Sequence, residues 1–287
     1  MEKYLDVNTE NNISIMPSEF ARMVRKNVAL INSMTGDSHI GGGYSAVDIM
    51  AVLYTRILNC SREMVNDPNR DVFILSKGHI ATTMYATLAQ AGIIPYDDLY
   101  KHLVNGEQYA GHVRKWSTRG VNGIEMSAGS LGHGASVGCG MAYAKRQQKL
   151  KGNIYVLMGD GECNEGSVWE SAMFASRFQL SNLVMIVDRN HLQAYGRDEQ
   201  VLNMGDIESK FGSFGCRAIT IDGHNYKEIE DTLKNATSVT PCKPTVVIAE
   251  TIKGKGVSFM EDCLEWHFKS PNAEQLQQIM VELDANK

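Results

Sequence analysis

Nowhere in this 287-residue chain do two cysteines stand as a C-x-x-C pair. The six cysteines, Cys60, Cys139, Cys163, Cys216, Cys242 and Cys263, lie far apart. That spacing argues against a zinc site and against a disulfide frame, and it reads as scattered reduced thiols of a cytoplasmic protein. Blocks of lysine and arginine are missing too, and the formal net charge is −5. No nucleic-acid partner is expected from such a balance. No run of about 18 consecutive apolar residues occurs, so no membrane span is expected. The opening residues, MEKYLDVNTENN, lack the apolar stretch of a secretory signal. The phosphate loop G-x-x-x-x-G-K-[ST] is absent, and no strand-like run ends in G-x-G-x-x-G.

What is present has the composition of a globular chain, with 43% hydrophobic residues. Phe20, Met23, Val24, Val28, Ile31 and Met34 recur at helical spacing behind Ser18, a candidate cap. Helices are predicted over 45–58, 79–91, 135–150, 165–178 and 226–235, and strands over 71–75, 153–158, 182–187, 217–221 and 245–249. Apolar strands interleaved with amphipathic helices predict an α/β fold, a doubly wound parallel sheet with helices on both faces. The middle of the chain is crowded with glycine, from Gly106 to Gly134, which implies either close backbone packing or a long irregular loop. With no repeat, low-complexity tract or linker in view, 1–287 reads as one domain, with 1–17 a short lead and 258–287 a C-terminal extension.

Ligands of such sheets bind where strands end and loops meet helix N-termini. Two loops of this kind stand out. One follows the strand at 153–158 and begins Gly159-Asp160-Gly161-Glu162; the other follows the next strand and contains Asp188-Arg189-Asn190-His191-Leu192. Magnesium bound to a diphosphate requires hard oxygen ligands shared with phosphate oxygens. Asp160 offers a carboxylate, Asn190 an amide oxygen, and Leu192 its carbonyl. The flanking glycines let backbone N–H groups approach a phosphate, and a helix starting near Glu165 points its positive end the same way. G-D-G alone is a common turn. G-D-G at one strand end with an asparagine at the next is far more specific, and it resembles the thiamine-diphosphate signature.

The chain also resembles the N-terminal part of the transketolase family, from about residue 18 to about residue 270. Asp37-Ser38-His39-Ile40-Gly41-Gly42 is similar to the family's S-G-H-P-G loop, and 71–79, DVFILSKGH, to its D-x-F-x-L-S-x-G-H segment. Ala110-Gly111-His112 matches a G-H loop, and 127–134, SAGSLGHG, matches T-G-S-L-G-Q-G, with His133 in place of glutamine. Trp266-His267 falls where the family has a site histidine, although Ile40 replaces its proline and Phe268 its glycine. The resemblance implies thiamine diphosphate and Mg2+ as cofactors, with Asp160, Asn190 and the Leu192 carbonyl on the metal. It implies that His79 and Gly161 contact the diphosphate and that Gly129, Ser130 and Leu131 run along the cofactor. Gly159, Glu162, Glu165 and Glu170 join the cofactor-binding set, the last two as part of a carboxylate network crossing a subunit interface. His39, His112 and His267 are the implied catalytic residues, surrounding the reactive carbon and the sugar hydroxyls. Ketol transfer gives them a reason: protons move as an alkoxide develops and a carbon–carbon bond breaks and reforms, and imidazoles titrating near neutrality suit that task.

Complete members of the family carry a second α/β domain that holds the aminopyrimidine ring, and then a third. The expectation is therefore a split transketolase, an enzyme of pentose phosphate type in which this N-terminal subunit meets a separate C-terminal, pyrimidine-binding subunit. The expected assembly is a heterotetramer, two of each, acting on sugar phosphates. Two readings compete within the cofactor class: a subunit for an unusual sulfo- or branched sugar, and a 2-oxoacid dehydrogenase subunit. A third is a non-catalytic cofactor-binding protein, against which the full histidine set argues.

Overall fold

The structure is a computed structural model that describes residues 15–115, 120–238 and 242–285. Most of the lead predicted at 1–17 lies outside the described residues. The helices are α1 Pro17–Thr35, α2 Ile40–Val52, α3 Ala81–Gln90, α4 His133–Gln147, α5 Gly166–Arg177, α6 Asp198–Leu202, α7 Ile207–Ser213, α8 Tyr226–Asn235 and α9 Ala273–Ala285. The strands are β1 Val72–Leu75, β2 Ile154–Gly159, β3 Leu183–Arg189, β4 Arg217–Asp222 and β5 Thr245–Glu250. All pair in parallel in the order β1-β2-β3-β5-β4, with Ile154 opposite Val72 and Leu183, and Val247 opposite Ile186 and Ile219.

Period-two alternation along buried strands sends neighbouring side chains to opposite faces. Phe73, Leu75, Tyr155, Leu157, Ile186 and Val247 share one core with Met50 and Leu53, Met84 and Leu88, and Ile229 and Leu233. Val72, Ile74, Val156, Met158, Met185 and Ile248 share the other with Ala135, Cys139, Val168, Ala172 and Phe211. So α2, α3 and α8 cover one face and α4, α5 and α7 the other, which is the doubly wound arrangement expected. Each fully buried Leu or Ile on these faces contributes roughly 2 kcal/mol of apolar transfer free energy.

Two differences from the predicted elements have physical causes. Ser18 lies inside α1, because Pro17 occupies the first turn and Met16 is the cap residue. The second helix starts earlier than predicted, at Ile40, running through Gly41-Gly42-Gly43 and ending in a π-turn at Leu53–Ile57. Those glycines let it pack closely: a Cβ on Gly43 would lie 2.2 Å from Thr83 Oγ1. Between β2 and α5 the loop forms a 3-10 turn, Gly161–Asn164, before α5 starts at Gly166, one residue from the predicted start. In the C-terminal stretch, Ile279 and Leu283 of α9 pack with Phe20, Val24 and Val28 of α1. Among the described residues, no helix is long and apolar enough to cross a membrane.

Candidate active site

The C-terminal ends of β1, β2, β3 and β5 open onto one cavity of about 330 Å3. Its lining includes His39, His79, His112 and His267, Gly129 and Leu131, Gly159 to Glu162, and Asn190 and Leu192. Lys77, Gln193 and Lys253 complete its polar wall. Residues far apart in the chain thus converge because parallel strands deliver all their C-terminal loops to one edge of the sheet.

Asp160 caps the 3-10 turn, its carboxylate accepting hydrogen bonds from the backbone N–H of Gly161 at 2.6 Å and of His191 at 2.7 Å. Burial, with the Asp188 charge nearby, pushes the Asp160 carboxyl above its ordinary range. Such a group gains from a cation. Asn190 donates its amide to Ser45 Oγ at 3.2 Å, while its carbonyl oxygen accepts the Leu192 N–H at 3.1 Å. Lys253 donates to the Leu192 carbonyl at 2.9 Å and pairs with His267 Nδ1 at 2.8 Å. Lys77, 2% exposed, donates to the Gly42 carbonyl at 3.0 Å and to the fully buried Asp188 carboxylate at 2.5 Å. Asp188 is anchored further by Ser45 Oγ at 2.7 Å and by the Thr251 hydroxyl.

The histidines form one cluster. His39 lies 5.2 Å from His79, 6.1 Å from His112 and 5.0 Å from His267, measured between ring centres. His39 reaches this position from a left-handed backbone conformation, φ 67°, at the start of α2, with its N–H donating to the His267 carbonyl at 3.0 Å. A non-glycine residue there is strained, and such strain concentrates at functional positions. Burial pushes His39 down to about 4 against the pull of Asp37, and burial with the Lys253 charge pushes His267 down to about 3. Burial and Lys77 hold His79 well below the ordinary imidazole value. The expectation of titration near neutrality is therefore corrected for His39 and His267. All three rings stand as neutral imidazoles that donate or accept hydrogen bonds, because burial disfavours the charged ring and the Lys77 and Lys253 ammonium groups add to that.

Three of the predicted residues are not part of the cavity lining. Ser130, Glu165 and Glu170 are exposed and outside the cavity wall. Glu162 does reach the cavity, but its carboxylate is occupied by the Ser76 hydroxyl and by the N–H groups of Gly132 at 2.8 Å and Gly159 at 3.2 Å. It ties three loops together. Lys77, Lys253 and Gln193 were missed by sequence reasoning. The available signal was position: Lys77 stands within the S-K-G-H run after β1, and Lys253 within the glycine-flanked run after β5.

The donor set fits a magnesium diphosphate. One carboxylate, one amide oxygen and one backbone carbonyl are hard ligands, with room for phosphate oxygens to complete the shell. Among the described residues no cluster of three His, Cys, Asp or Glu side chains forms a competing metal site. Gln193 Nε2 is buried without a partner on the cavity wall, and a Cβ on Gly159 would meet nothing within 4 Å. A spare donor and an open glycine face suit an anionic group lying against this loop.

The family model described as the transketolase thiamine diphosphate binding domain matches residues 19–286. An apulose-4-phosphate transketolase subunit from Actinobacillus succinogenes is 38% identical over 265 residues, covering 92% of this chain and 94% of that protein. The 6-deoxy-6-sulfo-D-fructose transketolase subunit of Clostridium sp. (strain MSTE9) is 35% identical, covering 92% and 94%. The transketolase structure from Leishmania mexicana shares the fold, with a TM-score of 0.88 at 24% identity over 94% of this chain. The chain spans 41% of that solved protein, and 40% of human transketolase, to which it is 35% identical. The chain belongs to the transketolase family, as its thiamine diphosphate binding domain.

Proposed function

We propose that this chain is the N-terminal subunit of a split transketolase, a transferase that moves a two-carbon ketol unit from a ketose phosphate to an aldose. A separate C-terminal subunit contributes the pyrimidine-binding half of each site, and the working assembly is a cytoplasmic heterotetramer of two plus two. The observation that carries the reading is the single cavity where the Asp160, Asn190 and Leu192 oxygens, two buried lysines and four histidines meet. The relatives named as transketolase subunits, aligned over nearly their whole length, support the division into two chains.

In this reading Asp160, Asn190 and the Leu192 carbonyl hold Mg2+, and Lys77, Lys253, Gln193 and the backbone of Gly159 and Gly161 face the diphosphate. Leu131 and Gly129 pack along the cofactor. Thiamine diphosphate supplies the nucleophilic carbon and the electron sink. His39, His112 and His267 surround the sugar's reacting oxygens. As neutral imidazoles, His39 and His267 donate hydrogen bonds to an oxygen on which negative charge develops, where a preorganised donor is most effective. The buried lysines raise that effect by adding positive potential without themselves transferring protons. Glu165 and Glu170 are assigned to the contact with another subunit, consistent with their exposure.

A second reading, favoured by the names of the relatives, is a branched or sulfonated sugar as donor in place of an ordinary pentose phosphate. One assay separates the two. The chain is combined with a complementary C-terminal subunit, thiamine diphosphate and Mg2+, and ketol transfer is followed from xylulose 5-phosphate, apulose 4-phosphate and 6-deoxy-6-sulfofructose. Activity dependent on both chains is expected. Full activity from this chain alone removes the split-enzyme reading, and cofactor binding without turnover of any ketose favours a non-catalytic role.

A further inference from the structure

We infer that His224 is a positioning residue for the site, holding the backbone that carries Lys253 so that its ammonium reaches Leu192 and His267. The inference rests on the reading of the cavity as a diphosphate site, and it concerns a residue outside the cavity wall.

His224 lies in the turn between β4 and α8, and both of its ring nitrogens are committed. Nδ1 is 2.7 Å from Asp48 Oδ2, and Nε2 accepts the N–H of Ile252 at 2.8 Å. Asp48 also receives both Arg25 guanidinium nitrogens, at 2.9 and 2.8 Å, and the Tyr226 hydroxyl at 2.6 Å. Burial opposes its ionisation most strongly, but the Arg25 charge together with the hydrogen bonds from His224 and Arg25 holds the Asp48 carboxyl below the usual range. A carboxylate can only accept, and a backbone N–H can only donate. The ring is therefore neutral with its proton on Nδ1, which leaves Nε2 bare for Ile252.

That bond matters because of where the chain goes next. After β5, Thr251 N–H donates to the Arg189 carbonyl at 3.0 Å and Gly254 N–H to the Gly41 carbonyl at 2.9 Å. Between these two backbone ties, Ile252 N–H depends on the His224 ring. Lys253 follows directly, 1% exposed, with its ammonium on the Leu192 carbonyl and His267. The Ile252 and Lys253 carbonyls accept the Lys255 and Asp262 N–H groups at 3.2 and 2.9 Å, so losing the Ile252 N–H tie loosens the entry to Lys253 on its β5 side while the other side stays held. Asp48, Arg25 and Tyr226 keep their mutual bonds without the imidazole.

Asparagine and glutamine divide the two functions of the ring. His224→Asn retains a donor near the Nδ1 position for Asp48 but has no acceptor for Ile252; His224→Gln places an acceptor near the Nε2 position and gives up the Asp48 bond. Two readouts on the complex of this chain with its complementary C-terminal subunit are needed: affinity for thiamine diphosphate with Mg2+ by calorimetry, and hydrogen exchange of the peptide containing Ile252. We expect His224→Asn to weaken cofactor binding by about tenfold, the scale of one lost buried hydrogen bond, and to speed Ile252 exchange. His224→Gln should stay close to wild type in both, even where its melting temperature is lower. Equal affinity and equal Ile252 protection in all three proteins overturn the inference, as do losses that simply follow melting temperature. If the wild type binds no cofactor, the diphosphate reading fails, and the exchange rates alone then decide whether His224 holds this segment.

Discussion

At the scale of single residues, the cavity concentrates groups held in unfavourable states. Asp160 is a carboxyl raised by burial beside Asp188, and Lys253 is an ammonium that burial and Lys77 push down to about 8. Such groups gain function at the expense of stability. Asp160→Ala should weaken Mg2+-dependent cofactor binding by about 100-fold, near 2.7 kcal/mol. Unchanged affinity in calorimetry removes Asp160 from the metal. His39 gives a pH signature. Its ordinary value is 6.5 and its folded value about 4, so between these the unfolded chain binds more protons. Stability conferred by the neutral ring is therefore fully present above about 6.5 and is lost progressively as pH falls toward about 4. Replacing His39 with Gln should flatten that slope by up to roughly 1 kcal/mol per pH unit, read from urea unfolding at stepped pH. An unchanged slope means that the ring is not buried as described. Asp160, Asn190 and the histidines were legible in the sequence because each belongs to a spaced motif. Lys77 and Lys253 were not, because a lysine in isolation reads as a solvated charge and only the fold reveals its burial.

At the scale of elements, the strands were read well from apolar runs, since a strand covered on both faces has almost no alternative. The turns were read less well. The 3-10 segments at Gly78–Ile80 and Gly161–Asn164 and the π-turn at Leu53–Ile57 arise from packing and capping that periodicity does not encode. The glycine-rich middle proved to be both of the things it implied. Gly134, at its end, is a close approach to Ser76, and Ala128 within it closely meets Gly78. A Cβ on Gly134 would lie 2.3 Å from the Ser76 side chain, and one on Gly78 2.7 Å from the Ala128 carbonyl oxygen. Gly106, by contrast, has nothing nearby and simply turns the chain at φ 87°. Gly134→Ala should thus push the start of α4 away from the loop after β1, costing about 1–3 kcal/mol in chemical denaturation. It should also weaken cofactor binding, because Ser76 and Glu162 connect that contact to Gly159. A variant as stable as wild type would show that the loop relaxes freely.

At the scale of the whole molecule, the fold supplies a rigid edge with its ligating groups on one side, and in the proposed assembly a second chain forms the opposite wall. Light scattering of the mixed subunits should give the mass of two plus two, and the Glu170→Lys variant should shift that mass downward while leaving the isolated chain's stability unchanged. Persistence of the full mass would move the contact away from α5. The strand order has another consequence. β5 is the last of the described strands along the chain, yet it lies inside the sheet, between β3 and β4. Until it emerges during synthesis, β3 and β4 have no partner on their facing edges, and Lys253 and His267 do not yet exist. From the completion of β4 to that of β5, β3 carries an open edge and β4 has no strand partner, a period when pairing with neighbouring chains competes with folding. In the proposed site, Lys253 and His267 join Asp160 and Asn190 only once β5 has slotted into the gap.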